Sequence, residues 1–394
     1  MKTLRKAFCF LLATILISGI SLAETYTDDW GNGVTLNFEL EDSLLQPLDI
    51  FDTIFLLEPQ NPTDEELTNA TALLQKAMEM TFTGEMPKIQ RNFANSNTQL
   101  WAYKDKWGEG ECAWIDFYSI DYFNNDAEDQ YCSTERSIDN YLSTFYEHHD
   151  DTPYPASRED YYVEHDFMTH DEADAKARAF MTAMHGENSP FDVVLRDWYG
   201  ITHEQFSDMF NWNAEHDLFK QPGVPSYFTG DEWTDVYDAY YLLYSYTYKG
   251  YPICDWVQTM YSGRVDNPVH PTGYSTECLI NREGFVYVSE RILFDCDYTP
   301  YEDTPALTLY EALDVLKQYL GGIKGLNPIQ ISRVYVEYLP HATDDDPSCK
   351  RTFEPIWSFV ADMTTDYGVL EEYMVYRVNG HTGQIMTNGY GVIK

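Results

Sequence analysis

Four times along this chain a threonine is followed three residues later by glutamate or glutamine, and each time an apolar pattern of helical spacing comes next. The four are Thr63 with Glu66, Thr169 with Glu172, Thr202 with Gln205, and Thr308 with Glu311. The threonine hydroxyl accepts from an early backbone N–H of a helix, and the later side chain reaches back to the threonine N–H, so the motif marks helix starts. Behind it run Leu67, Ala70, Leu74 and Ala77; Ala173, Ala177, Phe180, Met181 and Met184; and Leu309, Ala312, Leu313, Leu316 and Leu320. That spacing predicts helices that each bury one stripe. Gly84, Gly186 and the Gly321-Gly322 pair are the expected stops, because glycine accepts the left-handed conformation that ends a helix.

Between these helices the pattern changes to period two in tyrosine and β-branched residues, which is strand chemistry. Tyr240, Leu242, Tyr244, Tyr246 and Tyr248 fall on one face, and Lys249-Gly250 then turns the chain toward Tyr251-Pro252-Ile253. Cys278 to Ile280 and Phe285 to Val288 flank a hairpin loop from Asn281 to Gly284. Further strands are expected over Gln99–Lys104, Cys112–Tyr122, Ile331–Leu339, Ile356–Met363 and Tyr373–Val378. Helices and strands mix without regular alternation, so the expected class is α+β, with antiparallel sheets each packed by a capped helix. A polar stretch from Asn124 to Ser157 suggests a boundary, and the chain divides on this reading into 24–157, 158–300 and 301–394.

The first 23 residues read as a secretory leader. Lys2, Arg5 and Lys6 precede an apolar run from Ala7 to Ile20, and Ser21-Leu22-Ala23 supplies the small residues of a cleavage site. The run falls short of the roughly 20 residues a spanning helix needs. Cleavage would remove three of 25 basic residues, leaving 22 against 65 acidic ones, a net charge of −43. Nucleic acid and anionic lipid are thereby poor partners, and neither is expected, since like charge repels both. Aromatics at 16% and hydrophobics at 44% nevertheless predict a folded chain. Export also decides how sulfur is read. Cys112, Cys132, Cys254, Cys278, Cys296 and Cys349 are an even set, which in an oxidising compartment favours disulfides. Cys112 with Cys132 is the local pairing. Of three arrangements open to the other four, Cys254 with Cys278 and Cys296 with Cys349 is preferred.

Carboxylates and imidazoles crowd in three places: His148-His149-Asp150-Asp151, His165-Asp166 with His170-Asp171, and Asp344-Asp345-Asp346. The first two offer mixed ligands to a transition metal and the third offers oxygen to calcium, but none has diagnostic spacing. Solvated acidic loops explain them as well. No G-x-S-x-G, H-E-x-x-H, G-x-G-x-x-G or G-K-[ST] occurs, so hydrolase and nucleotide chemistry lack a motif. No catalytic residue and no cofactor is expected. Tyr161-Tyr162, Trp198-Tyr199 and Trp101 with Trp107 are the residues a glycan-stacking or adhesion reading would use, with strand packing as the alternative.

The C-terminal part carries a recognisable order: helix Thr308–Leu320 with Glu311-Ala312, strand Val334–Tyr338, strand Glu354–Phe359 with Pro355 and Trp357, then Val378-Asn379-Gly380-His381-Thr382-Gly383-Gln384-Ile385. This resembles a PepSY-type module, in which an "EA" helix precedes a Pro-x-Trp strand and a closing V-[ND]-x-x-T-G-x-[IV] turn. A degenerate copy runs from Thr169 through Glu172-Ala173 to Tyr251-Pro252-Ile253, and the pair is similar to the tandem modules of YycH/YycI-like extracytoplasmic regulators of Gram-positive bacteria. The resemblance implies two helix-on-sheet units in the C-terminal half and non-catalytic binding of another extracytoplasmic protein at the cell envelope. Those regulators keep a membrane anchor, whereas the Ser-Leu-Ala site here implies release.

Overall fold

A computed structural model describes residues 24–54, 62–92, 99–104, 111–115, 119–124, 158–185, 189–208, 234–253, 276–291, 296–301, 305–342, 350–365 and 367–386. The leader expected at 1–23 lies outside these residues. In chain order come β1 (Glu24–Gly31), β2 (Val34–Leu40), β3 (Phe51–Ile54), α1 (Asp64–Thr81), β4 (Gln90–Asn92), β5 (Gln99–Tyr103), β6 (Glu111–Ile115) and β7 (Ser119–Asn124). A 3-10 turn (Arg158–Tyr161) leads to α2 (His170–His185), β8 (Phe191–Ile201), β9 (Ala239–Tyr248), β10 (Tyr251–Pro252), β11 (Thr276–Asn281), β12 (Gly284–Arg291) and β13 (Cys296–Pro300). The last stretch holds α3 (Leu309–Gly321), β14 (Ile329–Ala342), β15 (Lys350–Thr365), β16 (Gly368–Asn379) and β17 (Ile385–Met386).

All four threonine motifs close as capping boxes. Thr63 and Glu66, and Thr308 and Glu311, exchange side-chain and backbone bonds at the starts of α1 and α3. Thr169 with Glu172 and Thr202 with Gln205 do the same. The expected stop at Gly321-Gly322 is met differently: α3 ends there, but Gly322 is right-handed (φ −82°), and the left-handed glycine is Gly325 (φ 73°).

The strands form two sheets. One runs β1-β2-β14-β15-β16-β17, with β3 and β13 beside the far end of β15. Its pairs are antiparallel except β2 with β14, which are parallel from Val34↔Ile329. The other is antiparallel throughout and runs β8-β9-β11-β12-β7-β6-β5-β4, with β10 extending the β9 hairpin. Asn32-Gly33 and Lys249-Gly250 carry positive φ at both positions, as two-residue hairpin loops require. The expected strand Cys112–Tyr122 is two strands, β6 and β7, paired with each other.

The fold is thus a mixed α and β one, rich in strand. α1 and α2 lie side by side on the second sheet, tied by a Lys76 Nζ bond to the Ala183 carbonyl, while α3 covers β16 and β17 of the first. One continuous apolar core includes Leu74, Phe180 and Leu316 from the three helices, Tyr244 and Ile280 from one sheet, and Trp357 and Phe359 from the other. The sheets do not follow the consecutive division 24–157, 158–300 and 301–394. β1 and β2 join strands beyond residue 328, and β7 pairs with β12. Period-two alternation tells a strand which face is buried but not which strand it pairs with.

Candidate functional site

β9 organises the polar interior. As the alternation predicts, Tyr240, Leu242, Tyr244, Tyr246 and Tyr248 all point into the core. A buried phenol needs an acceptor for its proton, and each of the four tyrosines finds a carboxylate. Tyr240 donates to Glu164 Oε2 (2.7 Å), Tyr244 to Asp174 Oδ1 (2.8 Å), Tyr246 to Glu290 Oε1 (2.5 Å) and Tyr248 to Asp49 Oδ2 (2.8 Å). Each carboxylate in turn meets a basic side chain: His170, Arg178, His185 and Lys249 respectively. A fifth set joins Tyr122 to Glu111 and Lys104 on the neighbouring strands. The acidity of the chain and its abundance of tyrosine are used together here.

The deepest set has the strongest chemical potential. Glu290 is completely buried and accepts from Tyr246, from Thr276 and from His185 Nε2 at 2.7 Å; the His185 side chain is 3% exposed. Tyr246, Thr276 and His185 Nε2 thus converge on one buried carboxylate. His185 Nδ1 is left buried without a partner. Cys278 lies in the same region, and burial, with Glu290 and Glu277 nearby, pushes its thiol well above the ordinary value. A buried thiol held protonated is an unreactive one. Burial also raises Tyr244 and Tyr246, followed by Cys278 and Asp174 for the first and by Glu290 for the second.

The structure gathers several of the candidates from the sequence into one cluster beside β8. His170 stacks on Trp198 (4.3 Å, 6°) and pairs with Glu164; Tyr162 lies 5.3 Å from Trp198 and stacks on Tyr199 at 5.9 Å. Tyr162 and Tyr199 both donate to Asp197. His165 Nε2 bonds the Ala239 carbonyl at 3.1 Å, and its ring stacks on Phe167. Tyr161 is buried. Trp198 is therefore flanked by His170, stacked on one face, and by Tyr162 and Tyr240 (6.1 Å), both tilted to it. The two histidines expected as metal ligands serve a carboxylate and a carbonyl, while Asp166 reaches Arg282. Among the described residues no group of three or more His, Cys, Asp or Glu side chains is placed to hold a metal ion. His148, His149, Asp150, Asp151, Asp344, Asp345, Asp346 and Trp107 lie outside them.

Of the six cysteines, Cys278 is a free thiol in the core, and its expected partner Cys254 lies outside the described residues. Cys112 is buried on β6, and Cys132, Cys349 and the Cys296 side chain also lie outside. No helix among the described residues is long and apolar enough to cross a membrane.

A second place distinguishes itself by exposure. At the tip of the β15–β16 hairpin Tyr367 is 100% exposed, Val369 62% and Leu370 41%. Sequence reading missed these residues because they fall between two predicted strands. The available signal was a tyrosine and two aliphatics in a turn, where polar residues are the rule. His185 and Glu290 were missed as well, since nothing in spacing connects a helix end to a strand 105 residues later.

No family model matches the chain, and no curated protein matches it. Among solved structures, it is similar to an uncharacterized protein from Eubacterium rectale ATCC 33656, with 11% identity, 92% of this chain and 93% of that chain covered, and a TM-score of 0.45.

Proposed function

We propose that this is an exported, non-catalytic binding protein of the bacterial cell envelope that engages another extracytoplasmic protein through the β15–β16 tip. The observation that carries the reading is the exposure of Tyr367, Val369 and Leu370 together at one hairpin tip, in contrast to the β9 tyrosines, which pack into the core and donate to carboxylates. Apolar side chains left in water together at one hairpin tip mark an interaction site. Three carboxylates of the interior support the same reading from the other side: the buried Glu290 and Glu111 and the half-buried Asp174 each accept at both oxygens from donors within the fold. Two units, α2 followed by the antiparallel strands β8, β9, β11 and β12, and α3 followed by β14, β15 and β16, have the helix-then-meander order of PepSY-like modules. The Asn379 turn, with Asn379 Oδ1 accepting from the His381 and Thr382 N–H groups, then has a structural role.

A photo-reactive residue in place of Tyr367, irradiated in intact cells, tests the proposal. One discrete crosslinked protein is expected from position 367 and none from exposed Glu65 on α1. Val369→Asn with Leu370→Asn should abolish the adduct. The absence of any specific adduct from position 367 overturns the reading.

A further inference from the structure

We infer that the outer edge of β1 receives an extended, basic segment of another protein as an added strand. β1 keeps unbroken register with β2 from Glu24↔Leu40 to Asp29↔Thr35 and pairs with no other described strand. Its backbone orientation follows from two bonds. The Ile329 N–H donates to the Gly33 carbonyl, so the odd-numbered residues of β2 face β14 and its even-numbered ones exchange bonds with β1. Tyr26 pairs with Phe38 and Asp28 with Leu36, which leaves Thr25, Thr27 and Asp29 facing outward. The Asp29 N–H is taken by the Asp28 carboxylate at 2.9 Å, as an outward group would be. The N–H and C=O groups of Thr25 and Thr27 remain for a partner, and both residues are exposed.

The other sheet borders are blunted. β4 has three residues, β8 is bulged between Leu195 and Asp197 with the Val163 main chain pressed on Gly200, β13 is irregular and ends on Pro300, and β16 is bulged and partly covered by β17. These are the ordinary devices against strand addition. β1 has its one register shift at the end, between Asp29 and Gly31, and the regular run of six residues before it is a template for strand addition.

The neighbouring surface specifies the added strand. Tyr310, Asp314 and Lys317, one stripe of α3, stand beside β1: Tyr310 lies 6.3 Å from the Tyr26 ring, and Lys317 lies 3.9 Å from Asp28 and 5.5 Å from the Trp30 ring. Tyr310 is 50% exposed and forms an apolar wall over the place where inward side chains of a new strand would lie. Asp28, Asp29 and Asp314 line the border, on a chain of net charge −40. A second copy would bring the same aspartates and the same charge, so complementarity selects a foreign strand rich in lysine or arginine. This surface lies at the opposite border of the sheet from the β15–β16 tip, and the test below involves the tip in no way.

The probe is a short peptide alternating lysine and valine, titrated against the whole mature protein at physiological salt, with a peptide alternating glutamate and valine as control. Saturable binding of the lysine peptide alone is expected. Thr27→Pro removes an outward N–H and no ladder bond, and should weaken binding by about tenfold or more, whereas Thr27→Val should leave it unchanged. N-methylation of alternate peptide residues in one register should abolish binding without any change to the protein. Amide exchange at Thr25 and Thr27 should slow in the complex. Equal binding by Thr27→Pro and by the methylated peptides would reduce the effect to general attraction by an acidic surface, and no binding, or a dimer dissolved by Thr27→Pro, would likewise overturn the inference.

Discussion

Glu290 and Glu164 accept from Tyr246 and Tyr240, six positions apart on the same strand face, yet they hold unequal stakes. Glu290 has no exposed surface, so losing a donor leaves a buried carboxylate oxygen short of a partner. Tyr246→Phe should destabilise the protein by about 1–3 kcal/mol, read from urea unfolding. The Glu164 side chain is 48% exposed, and water can replace the phenol of Tyr240 there. Tyr240→Phe should therefore cost clearly less than Tyr246→Phe, although the two tyrosines face the same way. Equal effects would show that burial of the acceptor does not set the cost. Only the tyrosines were legible in the sequence. Their alternation announces a buried face, but the acceptors come from α2 and the segment before it, from β12 and from the segment before β3, and no pattern of residue types marks which of 65 acids will meet which phenol.

Elements were far more legible than contacts, for a local reason. A capping box is written in four consecutive residues, and each of the four threonine motifs closes as read. Thr308→Ala should lower stability by about 1 kcal/mol. Its partner adds a pH dependence: hydrogen bonds from the Thr308 backbone and then its side chain hold the Glu311 carboxyl below its ordinary value. A lowered value in the folded state means that the contribution is present above the ordinary glutamate range and is lost as pH falls through the lowered value. Glu311→Gln keeps the bonds and removes the titration, so the acid side of the stability profile should flatten in that variant when measured by urea unfolding. Close approach is less legible than capping. Gly380 sits in the turn motif, but its requirement is spatial, because a Cβ there would meet the Pro355 carbonyl oxygen at 2.4 Å and its ring at 2.8 Å. Gly380→Ala should force β16 away from β15 and cost about 1–3 kcal/mol, with the melting temperature as the readout.

At the scale of the whole molecule, strands from both ends of the chain share one sheet, and the two sheets share one core that contains Phe51, Phe191, Tyr248, Tyr338 and Phe353 at their junction. Pairing between residues 34 and 329 crosses the consecutive division expected from sequence, and such pairing leaves no local trace in the chain. The junction is held by Asp49, which accepts from Tyr248 and Lys249 and whose backbone N–H donates to the Tyr338 hydroxyl. Tyrosine thus supports every level of the fold, and alkali should reveal it. Burial first, and then nearby carboxylates, raises Tyr240, Tyr246 and Tyr248, burial and then Cys278 and Asp174 raise Tyr244, while burial followed by Tyr319 pushes Tyr376 up to about 12. Groups raised in the folded state contribute stability that is complete below the unfolded phenol value of about 10 and is lost as pH rises above it. Urea unfolding should therefore weaken steeply above about pH 10, with phenolate absorbance lagging and then appearing together with loss of the near-ultraviolet tryptophan signal. Because the sheets share a core, Trp198 in one and Trp357 in the other should report a single transition. Tyr246→Phe should make the alkaline slope shallower, and a profile flat across the phenol range would show that these hydroxyls ionise in place without opposing the fold.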